Sequence, residues 1–258
     1  MVSDQASSPS FNVRYGPSIG CSWSKTYSLI LLISVFVGKS LVLEGLSLYF
    51  LPFKTVISPY GLNPIGEQSG PDKYDLRKVK FDKTSKNWIG PFIMAAINTK
   101  IVRRSNALSG YLYGKDFEYD EATLGGKGFN GRVKSVLMSI PLAIVMLAKP
   151  GSIIKKIVDK ILPSAGEGPS KKDRENGYFN LRFYVTYKDG SNSIAKVTGD
   201  RDPGYGSTSK MLSESAICLA MDKLDSIDGV ITLSTAMGDN LLERLENKSG
   251  LTFNIKHL

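Results

Sequence analysis

Histidine is nearly absent from this sequence. Its single copy, His257, sits next to the C-terminus. That argues against a Ser-His-Asp triad and against a histidine-rich metal centre. Cysteine is almost as scarce. Cys21 and Cys218 are far apart and give neither a disulfide framework nor a metal-ligand spacing, which suits a reducing compartment inside the cell. No Gly-x-Gly-x-x-Gly fingerprint follows a strand pattern. The nearest cluster is Gly125-Gly126-Lys127-Gly128, and no apolar helix is expected behind it in the right way.

Positive charge is plentiful. The 258 residues carry 33 Lys and Arg against 24 Asp and Glu, a formal charge of +9. Such a balance favours anionic partners: nucleic acid, anionic lipid or a phosphorylated substrate. The lysines lack interleaved aromatics and a recognisable nucleic-acid motif, so nucleic acid is not expected as a partner.

Along the chain, residues 1–26 are Ser- and Gly-rich and read as loop. Residues 28–51 are the most apolar stretch and long enough to span a membrane. Lys39 and Glu44 near its middle each cost roughly 2.5–3.5 kcal/mol on an insertion scale, which nearly cancels the apolar gain. A membrane span and a buried helix both fit. Residues 55–87 read as loop with a short strand near Val79–Phe81. Pro91 is placed for the first turn of a helix whose face carries Phe92, Ala95, Ala96 and Thr99, then Val102 and Asn106. Leu112 to Glu121 should be a strand, with Phe117, Tyr119 and Glu121 alternating.

Val136 to Ala148 is an apolar run broken by Pro141, too short to span alone. Ile153, Ile154, Ile157, Val158, Ile161 and Leu162 then fall on one helical stripe beside Lys155, Lys156 and Lys160. An apolar stripe with flanking lysines is the pattern of a helix lying on an anionic membrane or a lipid droplet; a core helix with solvated lysines gives the same pattern. Tyr178 to Tyr187 is the clearest strand, and Asp189-Gly190 turns it into a second at Ser193–Thr198. A loop with Asp202-Pro203-Gly204 and Gly206 leads into a helix, where Ser207 or Thr208 would cap and Leu212, Ala216 and Leu219 would form the buried face. The tail is a helix with Met237, Leu241 and Leu245 on one face, stopped by Gly250, and a last strand through Leu251, Phe253 and Ile255.

Two places could hold an anion. Arg103, Arg104 and Asn106 lie within one turn and could bind a phosphate or carboxylate by forked hydrogen bonds; an exposed basic face paired with acids is the alternative. The glycine-rich loop could cradle an anion at its helix N-terminus, with Arg201 and Lys210 adding charge; otherwise its glycines serve close packing. Tyr113 and Tyr119 are candidate donors to a substrate carbonyl, or rings buried with wet hydroxyls.

Several of these stretches together resemble a family. Gly199-Asp-Arg-Asp-Pro-Gly-Tyr205, with Thr208, Lys210, Met211 and Glu214-Ser-Ala216, is a long and unusual block. It is joined by Pro91-Phe-Ile-Met-Ala95, Arg104-Ser-Asn-Ala-Leu108, Gly166-Glu-Gly-Pro-Ser170 and Ala236-Met-Gly-Asp239. The set resembles the C-terminal part of the saccharopine dehydrogenase-like oxidoreductases, which include the bacterial trans-acting enoyl reductases. The family usually has Pro where this chain has Leu233, which would soften the start of that helix. The resemblance covers about residues 55–258 and leaves 1–54 unmatched.

The resemblance implies an α+β fold: a twisted, largely antiparallel sheet with packed helices, like the second domain of the saccharopine dehydrogenase fold, without the Rossmann domain. It implies hydride transfer from NAD(P) to a lipid-like or acyl substrate in full-length relatives, with no cofactor expected to bind this chain alone. The polar contacts would come from Arg103, Arg104, Asn106, Tyr119, Tyr205 and Lys210, the last helix and strand would be weakly anchored, and the catalytic residues stay unassigned. A non-enzymatic protein at a membrane or lipid droplet, linked to lipid or glycolipid metabolism, is the other reading. Location is then intracellular, with mitochondrial and plasma membranes both open, and self-association through the sheet is also open.

Overall fold

The structure is a computed structural model that describes residues 10–15, 58–147, 151–161, 168–187, 189–224 and 229–258, with backbone alone for 10–15, 145–147 and 158–161. The apolar stretch 28–51 and the loop 162–167 lie outside the described residues.

Six of the strands form two antiparallel three-stranded ladders. The first comprises β2 (Lys80–Asp82), β3 (Asn87–Pro91) and β4 (Tyr119–Gly126). The second comprises β5 (Phe179–Thr186), β6 (Asn192–Gly199) and β7 (Leu251–His257). A strand from the N-terminal segment, β1 (Ser10–Tyr15), lies between them, parallel to β4 and antiparallel to β5. The order is β2-β3-β4-β1-β5-β6-β7. The expected α+β class with a largely antiparallel sheet is therefore observed, while the loop reading fails for 10–15.

Among the described residues there are six helices: α1 (Ala95–Leu108), α2 (Gly128–Leu147), α3 (Ile153–Ile161), α4 (Lys171–Asn176), α5 (Gly206–Met221) and α6 (Leu233–Lys248). Pro91 ends β3 and does not open a helix, because its backbone pairs with Ala122. The buried face of α1 carries Ala95, Thr99, Arg103, Asn106 and Ala107, whereas Ala96 is exposed. The strand expected from Leu112 starts only at Tyr119, since 111–116 are turns that bring Gly114 round to Asn106. An apolar helix, α2, does follow Gly125-Gly126-Lys127-Gly128 directly.

Apolar packing is divided among small clusters. Ile89, Ala122 and Leu124 pack with Leu76; Phe117 and Tyr119 with Val102 and Phe183; Cys218, Met237 and Leu241 with Leu224, Ala236 and Leu245. The last cluster matches the expected face of α6. It joins α6 to α5, and β7 pairs with β6 from Leu251 to His257, so the tail is tied to the sheet. The helix α5 is set opposite to expectation. Leu212 and Leu219 are 70% and 55% exposed and Ala216 is also exposed. Gly206, Ser207, Ser215 and Cys218 are buried instead.

Candidate functional site

Arg103 is the centre of a buried polar network between α1, β4 and the loop 58–75. Its Nε donates to Asp72 Oδ2 at 2.6 Å, with both side chains under one-tenth exposed. Nη1 donates to the Pro59 carbonyl and to Thr99 Oγ1, each at 3.1 Å, and Nη2 to the Tyr119 carbonyl at 2.9 Å. The guanidinium also lies 5.4 Å from the centre of the Tyr60 ring, a cation–π distance. The α1 periodicity explains this. Arg103 lies four residues beyond Thr99, on the face that buries Ala95, and a guanidinium there must satisfy its donors inside the protein.

Asp72 is correspondingly busy. It accepts from the Tyr119 N–H at 3.0 Å, and its own N–H donates to Tyr60 Oη at 2.9 Å. Burial pushes the Asp72 carboxyl above its ordinary value, while Arg103 pulls it back. Burial likewise pushes the Tyr60 phenol up to about 12. These groups fix a loop to a helix and a strand with charge-assisted bonds, the strong kind in a poorly hydrated place.

A second chain of bonds adjoins the first. Tyr119 Oη donates to Glu121 Oε1 at 2.8 Å, and Asn98 Nδ2 donates to Glu121 Oε2 at 3.0 Å. Tyr119 and Glu121 are 6% and 2% exposed. A phenol on a buried carboxyl group can serve as a general acid when its hydroxyl turns to the acceptor and the carboxyl carries a proton to return to it. Strand alternation puts both side chains on one face of β4. Asp72, Asn98 and Glu121 were not singled out from sequence. The signal was weak: an Asp in a Gly-Pro loop, an Asn and a Glu whose partners lie 23 to 47 residues away.

The other expected residues are placed as follows. Arg104 donates to the carbonyls of Leu62 and Val230, bridging the early loop to the approach to α6. Asn106 is buried, donates to the Gly114 carbonyl at 2.9 Å and accepts from the Tyr113 N–H at 3.0 Å, so it shapes the turn after α1. Tyr205 is 44% exposed at the start of α5, with its ring beside Gly168. Lys210 Nζ lies 3.0 Å from Asp200 Oδ2. Arg103, Arg104 and Asn106 thus share a helix but serve three different attachments, and Tyr119 alone of the six joins the Glu121 chain.

The glycine-rich loop holds an anion of its own. Asp202 is 1% exposed and its carboxylate accepts from the N–H groups of Gly204 at 2.9 Å, Tyr205 at 3.0 Å and Gly206 at 2.5 Å. Neither Ser207 nor Thr208 caps α5. Their hydroxyls turn back to the carbonyls of Arg201 and Pro203. The helix N-terminus is satisfied by an internal carboxylate, for the reasons that would have drawn an external one.

The loop at Gly125-Gly126 is not built like a dinucleotide-binding turn. It has no open cradle, because α2 sits directly on it: a Cβ built at Gly131 would lie 2.2 Å from the Gly126 carbonyl oxygen. The strand before it pairs antiparallel with β3, unlike a mononucleotide-binding βαβ unit. Among the described residues no group of His, Cys, Asp and Glu could hold a metal ion, and no helix is long and apolar enough to cross a membrane.

Comparison with known proteins supplies the family context. A "Putative trans-acting enoyl reductase" of Mycobacterium tuberculosis is 41% identical over 167 residues, 61% of this chain and 39% of the relative. The chain is similar to enoyl reductases. Proteins named "Trans-acting enoyl reductase" from Mycobacterium ulcerans and Mycobacterium leprae are 37% and 36% identical over 163 residues, with the same 61% and 39% coverage. The chain therefore spans well under half the length of these relatives. No family model matches it. No solved structure matches it either, so the saccharopine dehydrogenase likeness rests on the sequence motifs alone.

Proposed function

We propose that this chain is the acyl-substrate portion of an enoyl-reductase-like oxidoreductase, with the nicotinamide cofactor held outside the described residues. The observation that carries the reading is the 41% identity to a relative named for enoyl reduction. Reducing an enoyl double bond takes a hydride at one carbon and a proton at the other, and a thioester carbonyl that must be polarised. Tyr119, held on Glu121, is the residue in the described network suited to the proton or to the carbonyl. Arg103 positions Tyr119 through its carbonyl, and Asp72 through its N–H. By itself the chain supplies binding and orientation, while hydride chemistry belongs to the cofactor.

Calorimetric titration tests this directly. The isolated chain should bind a long-chain 2-enoyl pantetheine thioester and not NADPH. Saturable NADPH binding, or no acyl binding at any chain length in a folded sample, would contradict it.

A further inference from the structure

We infer that the outward face of α2 and α3 is a docking surface for an anionic lipid bilayer, on which the helices lie without crossing. The inference does not rest on the enoyl-reductase reading.

The argument starts from how α2 is turned. A helix on a sheet ordinarily points its large apolar residues inward. This one does the reverse. Gly131 and Ser135 are buried against β3 and β4, with the half-buried Ser139 beside them, while Val133, Val136, Leu137, Ile140 and Ile144 are 39%, 46%, 58%, 44% and 41% exposed. Those five recur at 133, 136, 137, 140 and 144, one stripe at helical spacing.

The rotation is fixed by close approach of backbones. A Cβ at Gly125 would fall 1.9 Å from Ser135 Oγ, one at Gly131 2.2 Å from the Gly126 carbonyl oxygen, and one at Gly90 2.8 Å from Ser139 Oγ. Large side chains have no room on that side, so the stripe must face out. Helix α3 continues it: Ile153, Ile154 and Ile157 are 76%, 39% and 52% exposed.

Charge selects the occupant. Between Glu121 and Asp159 the sequence has no acidic residue and six basic ones, Lys127, Arg132, Lys134, Lys149, Lys155 and Lys156. The stripe itself carries no polar group that could read a particular protein partner. An aliphatic stripe flanked mainly by basic residues, with Asp159 the one acid in the sequence of α3, complements the acyl region of a bilayer and its anionic headgroups. Arg132 lies 5.2 Å from the centre of the Trp88 ring, which puts an aromatic beside this face, a residue type favoured at membrane–water boundaries.

Co-sedimentation of the full chain with vesicles decides it. The chain should pellet with phosphatidylcholine vesicles holding roughly one-third phosphatidylserine, and far less with phosphatidylcholine alone. Leu137→Glu and Ile157→Glu, both at exposed positions, should each lower vesicle affinity about tenfold, and Lys156→Glu about fivefold, with the circular dichroism spectrum unchanged. Three results would overturn the inference. The first is no pelleting with anionic vesicles. The second is pelleting that both glutamate variants leave intact, which would place the membrane contact elsewhere. The third is a dimer in solution that Leu137→Glu dissociates, which would make a second copy the occupant.

Discussion

The carboxylate of Asp202 accepts the backbone N–H of Gly206 at 2.5 Å, and so occupies the anion site that the glycine-rich loop forms at the start of α5. With the Gly204 and Tyr205 N–H groups also aimed at it, this one side chain performs the capping. Asp202→Ala should lower the unfolding free energy by about 1–2 kcal/mol in urea titration. Phosphate in the buffer should then raise the melting temperature of the variant more than that of the parent, because the emptied helix terminus becomes an external anion site. Equal stability of the two would show that the cap is dispensable.

The Arg103–Asp72 pair predicts an asymmetry. Removing one partner leaves a buried charge, so Arg103→Ala should cost about 3–5 kcal/mol. Arg103→Lys should also destabilise, because an ammonium cannot reproduce bonds to Asp72, Pro59, Thr99 and Tyr119 in one plane. In a double-mutant cycle, Asp72→Asn with Arg103→Ala should cost less than the sum of the single changes. Additive costs would mean the two groups act separately.

Two ends of the pH scale test other groups. Burial raises Tyr60 from 10.0 to about 12, so the fold favours its neutral form. Its contribution is complete below the ordinary value and is lost as pH climbs towards about 12, a loss that Tyr60→Phe should abolish. Asp222 runs the opposite way. Hydrogen bonds from Arg244, at 2.5 Å and 2.6 Å, hold it at about 2. Its contribution is present above the ordinary 3.8 and disappears as pH falls through about 2. Unfolding midpoints of Asp222→Asn should therefore fall less between pH 6 and pH 3 than those of the parent.

Gly131 should tolerate no larger residue. Gly131→Ala places a methyl 2.2 Å from a backbone oxygen and should destabilise by about 1–3 kcal/mol, measured by chemical denaturation. An unchanged stability would mean that α2 does not sit this close to β4.

Alternating strands and small helical patterns were legible before any coordinates. The β5–β6 hairpin is where Asp189-Gly190 put it, and Met237 and Leu241 face inward as their spacing implied. What failed was any inference needing to know which side of an element meets the rest. The helix α5 buries Ser215 and Cys218 while showing Leu212 to solvent; α2 also shows its large side chains, because glycines on β3 and β4 admit only small residues there. Strand β1 was missed although Phe11, Val13 and Tyr15 alternate, since three apolar positions in a polar stretch carry little signal and the pairing partners lie over a hundred residues away. The Arg103 network was half visible. The arginine stood out, but Asp72 and Glu121 acquire meaning only when the loop, α1 and β4 meet.

The most direct measurement is an exchange of parts. The stretch matching the Mycobacterium tuberculosis relative would replace its counterpart in that longer protein, and NADPH oxidation would be followed with a 2-enoyl thioester. The account predicts turnover by the chimera and a loss of about a hundredfold or more on Tyr119→Phe, with NADPH affinity unchanged. A chimera that folds and binds NADPH but reduces no enoyl thioester, or one indifferent to Tyr119→Phe, would contradict it.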